Sequence, residues 1–114
     1  MVDSRATVHG GDIMKDFILF MYDDAPDPVA ASDGASWGRY FSSLHASGRF
    51  EGGSSIGLGT RFRKNGPDQE SGMGMNGFIR VRAEDLAQAK VFLAGNPVYE
   101  AGGTVEIREL PRDE

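Results

Sequence analysis

The feature that most constrains this chain is the run Phe17-Ile18-Leu19-Phe20-Met21-Tyr22. Its aromatic and branched residues, closed off by Asp23-Asp24-Ala25-Pro26-Asp27-Pro28, predict a strand. Strand side chains alternate, so Phe17, Leu19 and Met21 point one way and Ile18, Phe20 and Tyr22 the other. A strand that is apolar on both faces needs cover on both. The run is about a third of a membrane span and has no small-residue cleavage site behind it. A soluble cytoplasmic domain without membrane contact is the expectation.

The remaining composition narrows the options. A chain of 114 residues holds one modest core. A net charge of −5 argues against nucleic acid as a partner, because phosphate binding needs a basic footprint. The absence of cysteine removes disulfides, thiol nucleophiles and thiolate metal sites. Residues 1–13 lack helical or strand periodicity and read as a flexible N-terminal tail, and Met14-Lys15 before a strand looks like a natural start. The domain is expected over 14–110, with 111–114 as a C-terminal tail.

Periodicity supplies the other elements. Trp37, Tyr40, Phe41, Leu44 and Gly48 lie on one stripe of a helix spanning about Ser32 to Ser47. Ser32, Asp33 and Ser36 are candidate N-caps, Gly48 is the C-terminal stop, and Gly38 suggests close packing. From Phe50 to Asn76 glycines interrupt the pattern. Ile56 and Leu58 share a parity, Thr60, Phe62 and Arg63 extend a ribbon, and Asn65-Gly66 is a hairpin turn. Asp68 to Asn76 reads as loop. Gly77 to Arg82 is a strand with Ile79 and Val81 on one side and Phe78, Arg80 and Arg82 on the other. Glu84 to Ala94 is a second helix stopped by Gly95-Asn96-Pro97. Thr104 to Leu110 is the last strand, with Val105 and Ile107 alternating against Glu106 and Arg108.

This order predicts an α+β, ferredoxin-like fold, a split βαβ antiparallel sheet with two helices on one face. The first strand is then central, and its second apolar face calls for another chain in a dimeric, barrel-like α+β assembly. The alternative is a curl in which the glycine-rich segment roofs that face itself.

Taken together, Phe20-Met21-Tyr22-Asp23-Asp24, the Trp37…Phe41…Leu44…Gly48 stripe, Asn65-Gly66-Pro67, Asn76-Gly77-Phe78-Ile79-Arg80-Val81 and Gly102-Gly103-Thr104-Val105-Glu106-Ile107-Arg108-Glu109-Leu110 resemble the YCII-related (DGPF-domain) family. The resemblance covers about Met14 to Leu110. It implies a ferredoxin-like fold and a homodimer with a pocket near the interface. It also implies relatives that are often uncharacterised, some tied to sigma-factor genes or domains. Two departures stand out. The DGPF stretch is Asn65-Gly66-Pro67-Asp68 here. The helix-start His and the Asp before a proline proposed as a catalytic pair in smaller members have no counterpart, since Asn96-Pro97 replaces the acid and no His lies near Ser32 to Trp37. An amide cannot act as a general base.

The chemical signals are sparse. Gly72-Met73-Gly74-Met75-Asn76-Gly77 matches G-x-G-x-x-G, yet it opens a strand, whereas a dinucleotide loop opens a helix. It reads as a loop. His45 and Ser42 stand three apart on the helix without an orienting acid, and His45 reads as a flank residue. Asp23, Asp24 and Asp27 lack the ladder of a calcium loop. No metal and no cofactor are expected. The open sheet face carries Arg80, Glu106 and Arg108, which read first as an interstrand ion-pair ladder. The functional reading places a small anionic or aromatic ligand against Arg80 or Arg63, walled by Tyr22 and Phe78, with Asp23 at the pocket's opening. Catalytic residues are not identifiable. Three functions stay open: a dimeric ligand-binding domain, an enzyme acting on a small organic substrate, and an interaction module linked to transcription.

Overall fold

The computed structural model describes residues 13–70 and 74–112. The expected tail over 1–13 lies outside the described residues except for Ile13, as do residues 113 and 114. The elements in chain order are β1 (Lys15–Tyr22), α1 (Pro28–Ala31), α2 (Gly34–Ser47), β2 (Phe50–Ser55), β3 (Thr60–Arg61) and β4 (Gln69–Glu70). They continue with β5 (Met75–Ala83), α3 (Leu86–Ala89), a 3-10 turn over Lys90–Leu93, α4 (Pro97–Glu100) and β6 (Val105–Leu110). Four strands form one antiparallel sheet in the order β2-β5-β1-β6, which is the expected ferredoxin-like α+β arrangement with β1 inside.

Alternation builds the core directly. Leu19 sits opposite both Ile79 and Ile107, and Phe17 opposite Val81, so one parity of three strands meets on one face. Phe17, Leu19, Met21, Ile79 and Val81 are buried together with Tyr40 and Leu44 of α2, Ala89 of α3 and Val98 of α4. The helices therefore cover this face. Each of the large side chains contributes roughly 1.5–3 kcal/mol on burial.

The helix caps explain where sequence reading slipped. α2 starts at Gly34, not Ser32, because the Asp33 carboxylate accepts from the Ser36 N–H at 2.9 Å. It ends at Gly48, whose φ of 72° is open to glycine at little cost. No side chain crowds Gly38, so the close packing expected there is absent. Two short helices, α1 and α4, were read as turn and stop. Both begin with the same pair, Asp27-Pro28 and Asn96-Pro97, in which an Asx side chain caps the helix and proline takes its first turn. The helix expected over Glu84 to Ala94 is one turn of α-helix capped by Asp85, then a 3-10 turn, a common way for a short helix to end.

The glycine-rich stretch also divides differently from expectation. Its first part, β2, joins the main sheet as an edge strand instead of roofing the open face. The hairpin around Asn65-Gly66 exists as the separate β3–β4 sheet, with Thr60 opposite Glu70. Part of the stretch expected as loop, Gln69–Glu70 with Met75 and Asn76, belongs to strands. Leu58 and Phe62 beside the hairpin are exposed.

Candidate functional site

The open face follows from the same register. Phe20 lies opposite Phe78 and Glu106, and Ile18 opposite Arg80 and Arg108. Ile18, Phe20, Tyr22 and Phe78 are half-buried, and Arg80 is exposed. The Tyr22 hydroxyl donates to Glu106 Oε1 at 2.6 Å, while Arg108 Nε donates to Glu106 Oε2 at 2.8 Å. These two donors hold the Glu106 carboxyl below its usual range, and the carboxylate in turn raises the Tyr22 phenol. The expected Arg80–Glu106–Arg108 ladder is thus a Tyr22–Glu106–Arg108 network. Arg80 acts on the Asp16 side of the face, where Arg112 bonds Asp16 at 2.8 Å and is the main cause of its lowered pKa.

Around the other side, between α2 and the β2–β5 edge, is a cleft of about 400 Å³. Its wall is the α2 stripe: Trp37 and Phe41 stack with centroids 5.6 Å apart and planes 29° apart. The Trp37 indole N–H is held by the Ala31 carbonyl at 2.8 Å, which fixes the ring. Its floor is backbone. A Cβ on Gly53 would come within 2.4 Å of the Phe78 carbonyl oxygen, and one on Gly77 within 3.1 Å of Met21 Cε. Met21 and Ile79 supply apolar surface, and Ser54, Ser55 and Asn76 supply neutral polar groups. Among the described residues, no charged side chain lines this cleft. Size and lining suit a small-molecule site.

Nearby, Asn96 is fully buried, and its Oδ1 accepts from the Val98 and Tyr99 N–H groups at 3.0 and 3.1 Å. Burial pushes the Tyr40 phenol up, an effect that Asn96 partly offsets, and the Tyr40 hydroxyl donates to the Phe92 carbonyl at 2.6 Å. Asn96 is a helix cap in the core. A larger groove of about 500 Å³ lies between α1, α2 and α4, but its polar groups serve the fold. Asp27 caps α1, Arg39 bonds Ser36, and Glu100 accepts from the Gly95 N–H. Among the described residues no cluster of acidic and histidine side chains could hold a metal, and no helix is long and apolar enough to cross a membrane.

The site residues expected from sequence separate into three places. Tyr22, Phe78 and Arg80 share the open face, and Phe78 also borders the α2 cleft. Asp23 is exposed just past β1, where its N–H meets the Gly74 carbonyl. Arg63 sits apart in the β3–β4 connection, beside Arg61 and Phe62. Of the G-x-G-x-x-G match, Gly72 and Met73 lie outside the described residues and the rest leads into β5. Sequence reading missed Gly53, Gly77 and the ring wall as one site. The signal available was the Trp37–Phe41 spacing set against a glycine-interrupted strand.

The family profile for the YCII-related domain matches residues 16–112. Among solved structures, the chain is similar to 5-chloro-2-hydroxyhydroquinone dehydrochlorinase from Burkholderia phenoliruptrix, in complex with 2,5-dihydroxybenzoquinone. The two are 18% identical with a TM-score of 0.56, covering 86% of this chain and 95% of that one, a likeness of fold. A Burkholderia cenocepacia protein provisionally assigned as an amidohydrolase or peptidase aligns at 13% identity and a TM-score of 0.37, over 85% of this chain and 27% of that one. No curated protein matches. With a profile spanning nearly every described residue and the sheet order that goes with it, the chain belongs to the YCII-related domain family.

Proposed function

We propose that this domain binds a small organic molecule in the cleft between α2 and the β2–β5 edge, and works as a pair of copies joined through the open sheet face. One observation carries the binding reading: a cleft of about 400 Å³ walled by Trp37 and Phe41 and bordered on its other side by Gly53 and Gly77 of the β2–β5 edge. The pairing reading is supported by Ile18, Phe20 and Phe78, which a single copy leaves half-buried on the face opposite the helices.

Turnover of the bound molecule is a second reading, favoured by the ring compound held on the same fold in the similar dehydrochlorinase. Among the described residues the cleft has no titratable side chain, which supports binding without acid–base chemistry as the first reading.

Thermal melting across a panel of small aromatic and aliphatic metabolites tests this. A ligand at about a hundred times its Kd adds ~2.7 kcal/mol to unfolding, a shift easily read. The expected result is a concentration-dependent rise that Ser55→Phe abolishes by filling the cleft. A panel that moves nothing, or a rise that Ser55→Phe leaves intact, overturns the proposal.

A further inference from the structure

The charge and shape of the cleft also select a class of ligand, given the reading that it is a binding site at all. We propose that its ligand is a planar, uncharged ring with hydrogen-bonding groups on its edge. The wall is two rings from consecutive turns of α2, stacked at a shallow 29° to each other, and the Trp37 N–H is already bonded to Ala31. Opposite it lies the β2–β5 edge, where Gly53 and Gly77 carry no side chain into the cleft and Met21 and Ile79 supply apolar surface. A flat ring laid against these two rings gains offset stacking that a puckered ring of equal size lacks.

Charge is excluded from both directions. An anion entering the cleft loses water and finds no cation among the described residues, since Arg80 projects from the opposite face and Arg63 lies on the hairpin. A cation finds two ring faces but no carboxylate, with Glu106 committed to Tyr22 and Arg108 on the far side. What the rim does supply is neutral: the Ser55 hydroxyl on the Gly77 side of β2, with Ser54 and Asn76 bordering it. These satisfy hydroxyl, carbonyl or amide groups on a ring's edge without ion pairing.

The sequence contains one tryptophan, so the emission of Trp37 reports on this cleft alone. Four probes are titrated into the full chain: benzamide, benzoate, benzamidine and cyclohexanecarboxamide. Benzamide is expected to change Trp37 emission saturably, with benzoate and benzamidine about tenfold weaker or more and cyclohexanecarboxamide roughly threefold to tenfold weaker. Either charged probe matching benzamide, or the puckered ring matching it, overturns the ligand class while the cleft stands. Benzamide binding that Ser55→Phe does not weaken, or no saturable change with any probe up to about 50 mM, overturns the cleft itself. Phe41→Leu keeps the apolar volume and removes one ring face, so it serves if Ser55→Phe fails to fold; it is expected to narrow the gap between benzamide and cyclohexanecarboxamide.

Discussion

At the scale of single residues, Asn96 shows how an identity can be legible and its role not. The Asn-Pro pair announces a chain reversal, and it reads equally as the end of one helix or the cap of the next. Burial decides: the side chain caps α4 from within the core. Asn96→Ala removes two accepted N–H bonds and is expected to cost about 1–2 kcal/mol in urea unfolding. Asp24 plays a related role at the surface, its two oxygens taking the Thr104 N–H at 2.8 Å and hydroxyl at 2.6 Å and so fastening the end of β1 to the start of β6. Those bonds hold its carboxyl below the usual 3.8. A depressed carboxyl stabilises the fold above its unfolded pKa, and that contribution fades as pH falls through the folded value. Asp24→Asn is therefore expected to melt a few degrees below the wild type at neutral pH, with the gap closing below about pH 3.8 in a melting series against pH.

Among the elements, those with strong hydropathy were legible. The α2 stripe emerged because Tyr40 and Leu44 repeat at helical spacing and are both buried. β1, β5 and β6 emerged with their faces correct because large apolar residues alternate in them. β2 did not, since Phe50-Glu51-Gly52-Gly53-Ser54-Ser55 has too few side chains to show a period. The cleft shares that fate: it is defined by side chains that are missing and by a register joining Gly53 to Ile79, which one sequence does not reveal. The same contrast predicts stability. Leu44→Ala is expected to cost about 2–5 kcal/mol, whereas Leu58→Ala beside the hairpin stays within roughly 0.5 kcal/mol. Paired denaturation curves check both.

For the molecule as a whole, the doubly apolar β1 remains the organising fact. Helices cover Phe17, Leu19 and Met21, and the proposed second copy covers Ile18 and Phe20. Sedimentation at micromolar concentration is expected to give twice 12.3 kDa, and Phe20→Lys to give the single mass. A wild type that sediments as one copy contradicts the pairing. Because the cleft and the open face lie on opposite sides of one sheet, amide shifts on adding benzamide to the isotope-labelled protein separate them in a single spectrum. The account predicts perturbations at Gly53, Gly77 and the Trp37 indole N–H. Perturbations confined to Ile18, Phe20 and Arg80 would contradict it.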